Sequence, residues 1–123
     1  MNYWFLMSGG FISFFGVLIH GIIGTRIYMN DINKSDLDTL TKSLSLISWH
    51  VFTIFLFIGA VTLIIVAYNP SLRIVAYPII IINAIGAILF VYLGLGSHKA
   101  LLKMPGAYLM ASTAIVSYLG IVL

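Results

Sequence analysis

Cysteine is absent from this chain, and so is glutamate. Without thiols there are no disulfides, thiolate metal ligands, iron–sulfur clusters or redox-active cysteines. The acidic side chains are Asp31, Asp36 and Asp38, all in one short stretch. No apolar segment therefore carries a carboxylate, which excludes the usual logic of a small drug/proton antiporter. Charge of any kind is scarce, at 7% of residues. It falls in three places, Arg26–Lys42, Arg73 and Lys99–Lys103. The net charge of +3 is small and scattered and does not point to nucleic acid.

What remains is apolar. Hydrophobic residues make up 62% of the chain and mean hydropathy is +1.15. The blocks Met1–Thr25, Ser43–Leu72, Ile74–His98 and Met104–Leu123 contain no fixed charge. Each can cross a bilayer core of ~30 Å, which takes about 20 residues at ~1.5 Å rise. Four such helices and their loops use up 123 residues. The expected fold is an all-α, integral-membrane, up-down-up-down four-helix bundle in a single transmembrane domain. Its helices are expected at about 3–28, 36–68, 70–97 and 105–121. The first block lacks a basic leader and a small-residue cleavage site, so it reads as a retained helix.

Local signals place the ends. Ser35-Asp36-Leu37-Asp38 resembles a capping box, and Asn69-Pro70 and Pro105 suit helix starts. Pro78 falls inside the third helix and should bend it, freeing the carbonyl of Ile74; the nearby Asn83 amide could satisfy it or bond between helices. Arg26, Lys34, Lys42, Lys99 and Lys103 lie on one side of the bundle, against Arg73 and both termini on the other. The positive-inside rule puts the first side in the cytoplasm. Tyr3, Trp4, Tyr68 and Tyr77 then form an aromatic belt at the opposite interface.

The residues best suited to chemistry are histidines. His20 is ~9 Å along its helix from Arg26, and His50 ~12 Å from Lys42, so the two share a layer near the cytoplasmic side. Gly9, Ser13, Gly16, His20 and Gly24 form a small-residue stripe of the packing type. Ser43, Leu46, His50, Thr53, Phe57 and Ala60 share a face of the second helix. Asn83, Ala87, Phe90, Gly94 and His98 do so on the third. Trp49, ~100° from His50, is expected to face lipid or a neighbouring helix; Phe5, Phe11, Phe14 and Phe15 suit lipid contact or an oligomer interface. His20, His50 and His98 could ligate Zn, Cu or Fe. A haem b could take His20 and His50 axially, with Arg26 pairing an anionic propionate. Neighbouring helices ~8–10 Å apart would then have to splay, or a dimer supply the ligands. The same imidazoles could instead move protons or cations in an oligomeric channel or carrier. They could equally be helix–helix hydrogen bonds in an accessory subunit of a larger membrane complex.

His20-Gly21-Ile22-Ile23-Gly24-Thr25-Arg26 and Ser48-Trp49-His50-Val51-Phe52-Thr53, with Pro105 opening the last helix, resemble an uncharacterised family of small four-helix bacterial inner-membrane proteins. Its pattern is a His in helix one and Trp-His in helix two. That resemblance implies the fold and a bacterial membrane location, and no activity. More distantly, the His-Gly-Arg pattern of the first helix is similar to the haem-binding protoporphyrinogen-oxidase family and to copper-resistance membrane domains, which implies haem or copper as cofactor.

Overall fold

The computed structural model describes residues 1–123. It contains four helices long and apolar enough to cross a membrane, and no strand: α1 (Tyr3–Lys34), α2 (Thr39–Tyr68), α3 (Pro70–Leu95) and α4 (Pro105–Val122). Only a short 3-10 turn, Lys99–Lys103, lies outside them. The end bearing Arg26, Lys34, Lys42, Lys99 and Lys103 is here the basic end; the other, with both termini, is the terminal end.

Helix boundaries follow from which side chains can satisfy free backbone groups. Asn2 caps α1, its Oδ1 accepting from the N–H groups of Trp4 and Phe5 at 3.0 and 3.3 Å. α1 runs on past Asn30 to Lys34, longer than its composition suggests. Lys34 stands in the last turn, where a cation suits the helix dipole. Ser35 ends this helix, its hydroxyl donating to the Ile32 carbonyl at 2.6 Å, so it is not the cap of the next. The cap of α2 is Asp38, whose carboxylate accepts from Thr41 N at 3.0 Å. α2 thus begins at Thr39. Pro105 opens α4 as expected.

Pro78 acts differently from the sequence expectation. Residues Pro70–Val75 form a 3-10 helix, and α-helical geometry begins only at Ala76. Pro78 therefore stands in the first turn of the α-helical stretch, where a missing N–H costs little. Asn83 does not serve the Ile74 carbonyl or another helix; its Nδ2 donates to Ile79 O of its own helix at 2.9 Å.

α1 packs along α2 on one side and along α4 on the other, while α3 packs along α4. α2 and α3, although consecutive, meet only weakly, giving the spatial order α2–α1–α4–α3. The shared core lies toward the terminal end and consists of Leu6, Leu63, Val66, Ala67, Ala76, Ile80, Ala114 and Ile121. Small residues let the backbones approach. A Cβ on Gly120 would lie 2.9 Å from the backbone nitrogen of Leu6. The chain ends are tied together where Asn2 N donates to Gly120 O at 2.7 Å. Tyr3 and Tyr68 close this end with a hydroxyl–hydroxyl bond of 2.8 Å.

The buried residues of α2 all lie between Gly59 and Ala67. Its other half, toward the basic end, buries none completely and leans on α1 alone. α4 is the opposite case. It has the lowest mean hydropathy of the four, 1.4, and the largest buried share, because Ala107, Thr113, Ala114, Ser117 and Gly120 face neighbours rather than lipid.

Candidate functional site

Halfway along α1 the helix widens: Ile19–Met29 adopts π-helical geometry. Such stretches are rare and often mark functional sites. This one is stabilised from α2. Gly21 and Gly24 leave gaps on the α1 surface, into which α2 inserts Thr53 and Trp49. A Cβ on Gly21 would come within 2.8 Å of Thr53 Cγ2, and one on Gly24 within 2.6 Å of Trp49 Cζ2. The indole N–H of Trp49 donates to the His20 carbonyl at 3.2 Å and to Thr25 Oγ1 at 3.0 Å. Thr25 in turn donates its hydroxyl proton to Gly21 O at 2.7 Å. In an apolar medium these bonds are needed, since no water can replace them.

His20 is the centre of this cluster. Its ring stacks on Trp49 with centroids 4.0 Å apart and 15° between planes. The ring of Phe52 meets it edge-on at 4.9 Å. His20 Nδ1 lies 3.0 Å from Thr53 Oγ1. That hydroxyl sits 3.2 Å from the Trp49 carbonyl, to which it donates. A hydroxyl has one proton: when Thr53 gives it to the carbonyl, Nδ1–H of His20 is the donor to Thr53. The neutral ring then carries its free lone pair on Nε2. Orientation of one ring nitrogen by a fixed partner, with the other left to accept a proton or a metal, is the arrangement that metal-binding histidines use. His20 is half-buried.

The other expected site residues lie elsewhere. His50 is exposed on the lipid-facing side of α2, and Trp49 takes the inward place expected for it. The inward face of α2 is Trp49, Phe52, Thr53, Leu56, Gly59, Ala60 and Leu63, rotated from the one centred on His50. An indole N–H deep in an apolar contact needs an acceptor, and the π-helical turn supplies one. His98 is exposed too, because α3 ends at Leu95 and helical phasing no longer applies three residues on. Arg26 is exposed on α1. No group of three histidine or carboxylate side chains converges to hold a metal. Of the four candidates, His20 alone sits in an organised environment. Thr25, Trp49 and Thr53 are the residues that sequence reasoning missed as a unit. The available signal was size complementarity, with Gly21 and Gly24 on α1 at the depth of Thr53 and Trp49 on α2.

No protein-family model, curated protein or solved structure matches this chain. The class that fold and composition define is a four-helix protein suited to the membrane, and its site rests on the geometry just described.

Proposed function

We propose that this chain is a bacterial inner-membrane protein that binds haem b or a transition metal through Nε2 of His20, for electron transfer or an oxidoreductase step. In this reading both termini lie outside and the basic end is cytoplasmic, following the Lys and Arg asymmetry. The observation that carries it is the Thr53 hydroxyl. Donating to the Trp49 carbonyl, it is placed to accept from His20 Nδ1, and in that tautomer Nε2 is free to ligate.

The lack of three converging histidine or carboxylate side chains narrows what could bind. A tetrahedral ion needs three or four protein ligands, and one chain brings no three together. A porphyrin brings four nitrogens of its own and asks the protein for one or two axial ligands. Haem therefore fits the residues better than a bare ion does. A second axial ligand would come from a second copy, which favours a homo-oligomer. The residues of this chain would do three things. His20 would bind iron, Thr53 would hold the imidazole's tautomer, and Trp49 would fix the ring plane by stacking.

A second reading is favoured by the same contacts. His20, Trp49, Thr53 and Thr25 form a nearly complete helix–helix network, which is what an accessory subunit of a larger membrane complex would need for packing alone. Absorption spectroscopy and elemental analysis of protein purified from haem- and metal-replete cells separate the two. Binding predicts a Soret band or stoichiometric metal, lost in His20→Ala and weakened in Thr53→Val. Colourless, metal-free protein ends the cofactor reading and leaves the packing one.

A further inference from the structure

Away from His20, the basic end of α3 carries a depression of about 470 Å³ lined by Tyr92, Leu93, Leu95, Gly96, Ser97 and His98. Its two ends differ in chemistry. Tyr92, Leu93 and Leu95 belong to the last turn of the membrane-spanning helix; Tyr92 and Leu95 are among the most exposed large side chains of the molecule, at 74% and 73%. Gly96, Ser97 and His98 lie just beyond the helix end, where the chain turns into the 3-10 segment Lys99–Lys103. Apolar wall and polar rim therefore meet at the level where a membrane gives way to water.

The charges that follow that rim in the chain are of one sign. Lys99 follows His98 directly and Lys103 closes the same turn. After Asp38 the chain has no acidic side chain. The hydroxyl of Ser97 and the imidazole of His98 take part in none of the side-chain hydrogen bonds that hold the rest of the fold, and both residues are exposed. Two side chains without hydrogen-bond partners, next in the chain to a cation and set above an apolar wall, are complementary to an amphipathic anion.

We propose that this depression is a binding site for an anionic phospholipid. The phosphate lies against Ser97, His98 and Lys99, and an acyl chain runs along Tyr92 and Leu95. A hydroxyl and an imidazole N–H donate to phosphate oxygens, and the ammonium group supplies the charge. The preference for anionic over zwitterionic lipid then resides in the rim, while affinity for any lipid resides in the wall.

The test is native mass spectrometry of the full-length protein released from mixed vesicles of phosphatidylglycerol and phosphatidylcholine with identical acyl chains. One well-placed cation near a membrane surface is worth about a fivefold preference. Wild type is expected to retain phosphatidylglycerol over phosphatidylcholine by about that factor or more. The double variant His98→Ala, Lys99→Ala should retain the two lipids equally. Tyr92→Ala should lower retention of both while keeping the preference. Arg73→Ala, at the opposite end, should change nothing. Equal retention of the two lipids by wild type overturns the proposal. So does a preference that survives in the double variant, or one that Arg73→Ala abolishes to the same extent.

Discussion

At the terminal end four helices share one core; toward the basic end they come apart into pairs, α1 with α2 and α3 with α4. The two ends also differ in what holds them. Toward the termini it is close apolar packing across small residues, with Leu6 and Leu63 fully enclosed. Toward the basic end it is a polar and aromatic contact, His20, Trp49, Thr25 and Thr53, between two helices otherwise open to lipid. Within a membrane, lipid tails are as apolar as leucine, so packing gains come from fit and polar gains from the lack of any other partner. One half of the molecule relies on each. The closely packed half sets the helix arrangement, and the loosely covered half carries His20.

The same substitution placed in both halves makes the contrast measurable. An alanine at Gly120 meets the Leu6 backbone at 2.9 Å, and the backbone cannot step aside. Gly120→Ala should cost about 1–3 kcal/mol in a reversible unfolding assay in bicelles. An alanine at Gly24 would meet Trp49 Cζ2 at 2.6 Å, and the indole gives way only by loosening its bonds to the His20 carbonyl and Thr25 Oγ1; against that, alanine gains the ordinary helix preference over glycine. Its net cost should be the smaller, about 1 kcal/mol, because a side chain moves rather than a backbone. Equal costs at the two positions would mean that the basic end is as tightly packed as the terminal end.

A smaller effect tests the polar contact itself. Trp49→Phe keeps the stacked ring but removes the N–H that the His20 carbonyl and Thr25 Oγ1 share. A loss of about 1–2 kcal/mol is expected in the same assay. His50→Ala, one residue away and exposed, should stay within about 0.5 kcal/mol. A larger effect at His50 than at Trp49 would reverse the assignment of the inward face.

The smallest effect lies outside the membrane, at the start of α2. Hydrogen bonds from Thr41 hold the Asp38 carboxyl below its usual value. Because the folded state favours the charged form, the cap is intact at neutral pH and is lost as pH falls through that lowered value. Hydrogen exchange at the Thr41 amide, corrected for its intrinsic rate, should speed up on acidification. Asp38→Ala should exchange fast at every pH.

The spans were legible because charge-free runs of this length have few alternatives, and Pro105 marks its helix start for a reason local to the residue. The orientation of individual side chains was less so. His50 and Trp49 differ by one position, and a face drawn through Thr53 and Ala60 accommodates either. What decides between them is a carbonyl on another helix, in a π-helical stretch whose widened turn no short-range pattern announces. Pro78 shows the same limit. Its effect depends on where α-helical geometry begins, and the 3-10 entry from Pro70 moved that point to within two residues of it. His98 lies past the end of the helix whose phase would turn it inward.

The low hydropathy of α4 has a consequence for how the protein is made. α3, with mean hydropathy 2.5, leaves the ribosome before its principal neighbour exists and is apolar enough to lie in lipid alone. α4, at 1.4, is synthesised after α1 and α3 and enters between them, where their surfaces accept its alanines, serines and glycines. It therefore acts as a wedge in biogenesis. A chain stopped after His98 should insert three spans, yet engineered cysteines on α1 and α3 should fail to crosslink until α4 is added, even as a separate peptide. Crosslinking at full efficiency without it would show that the first three helices assemble unaided.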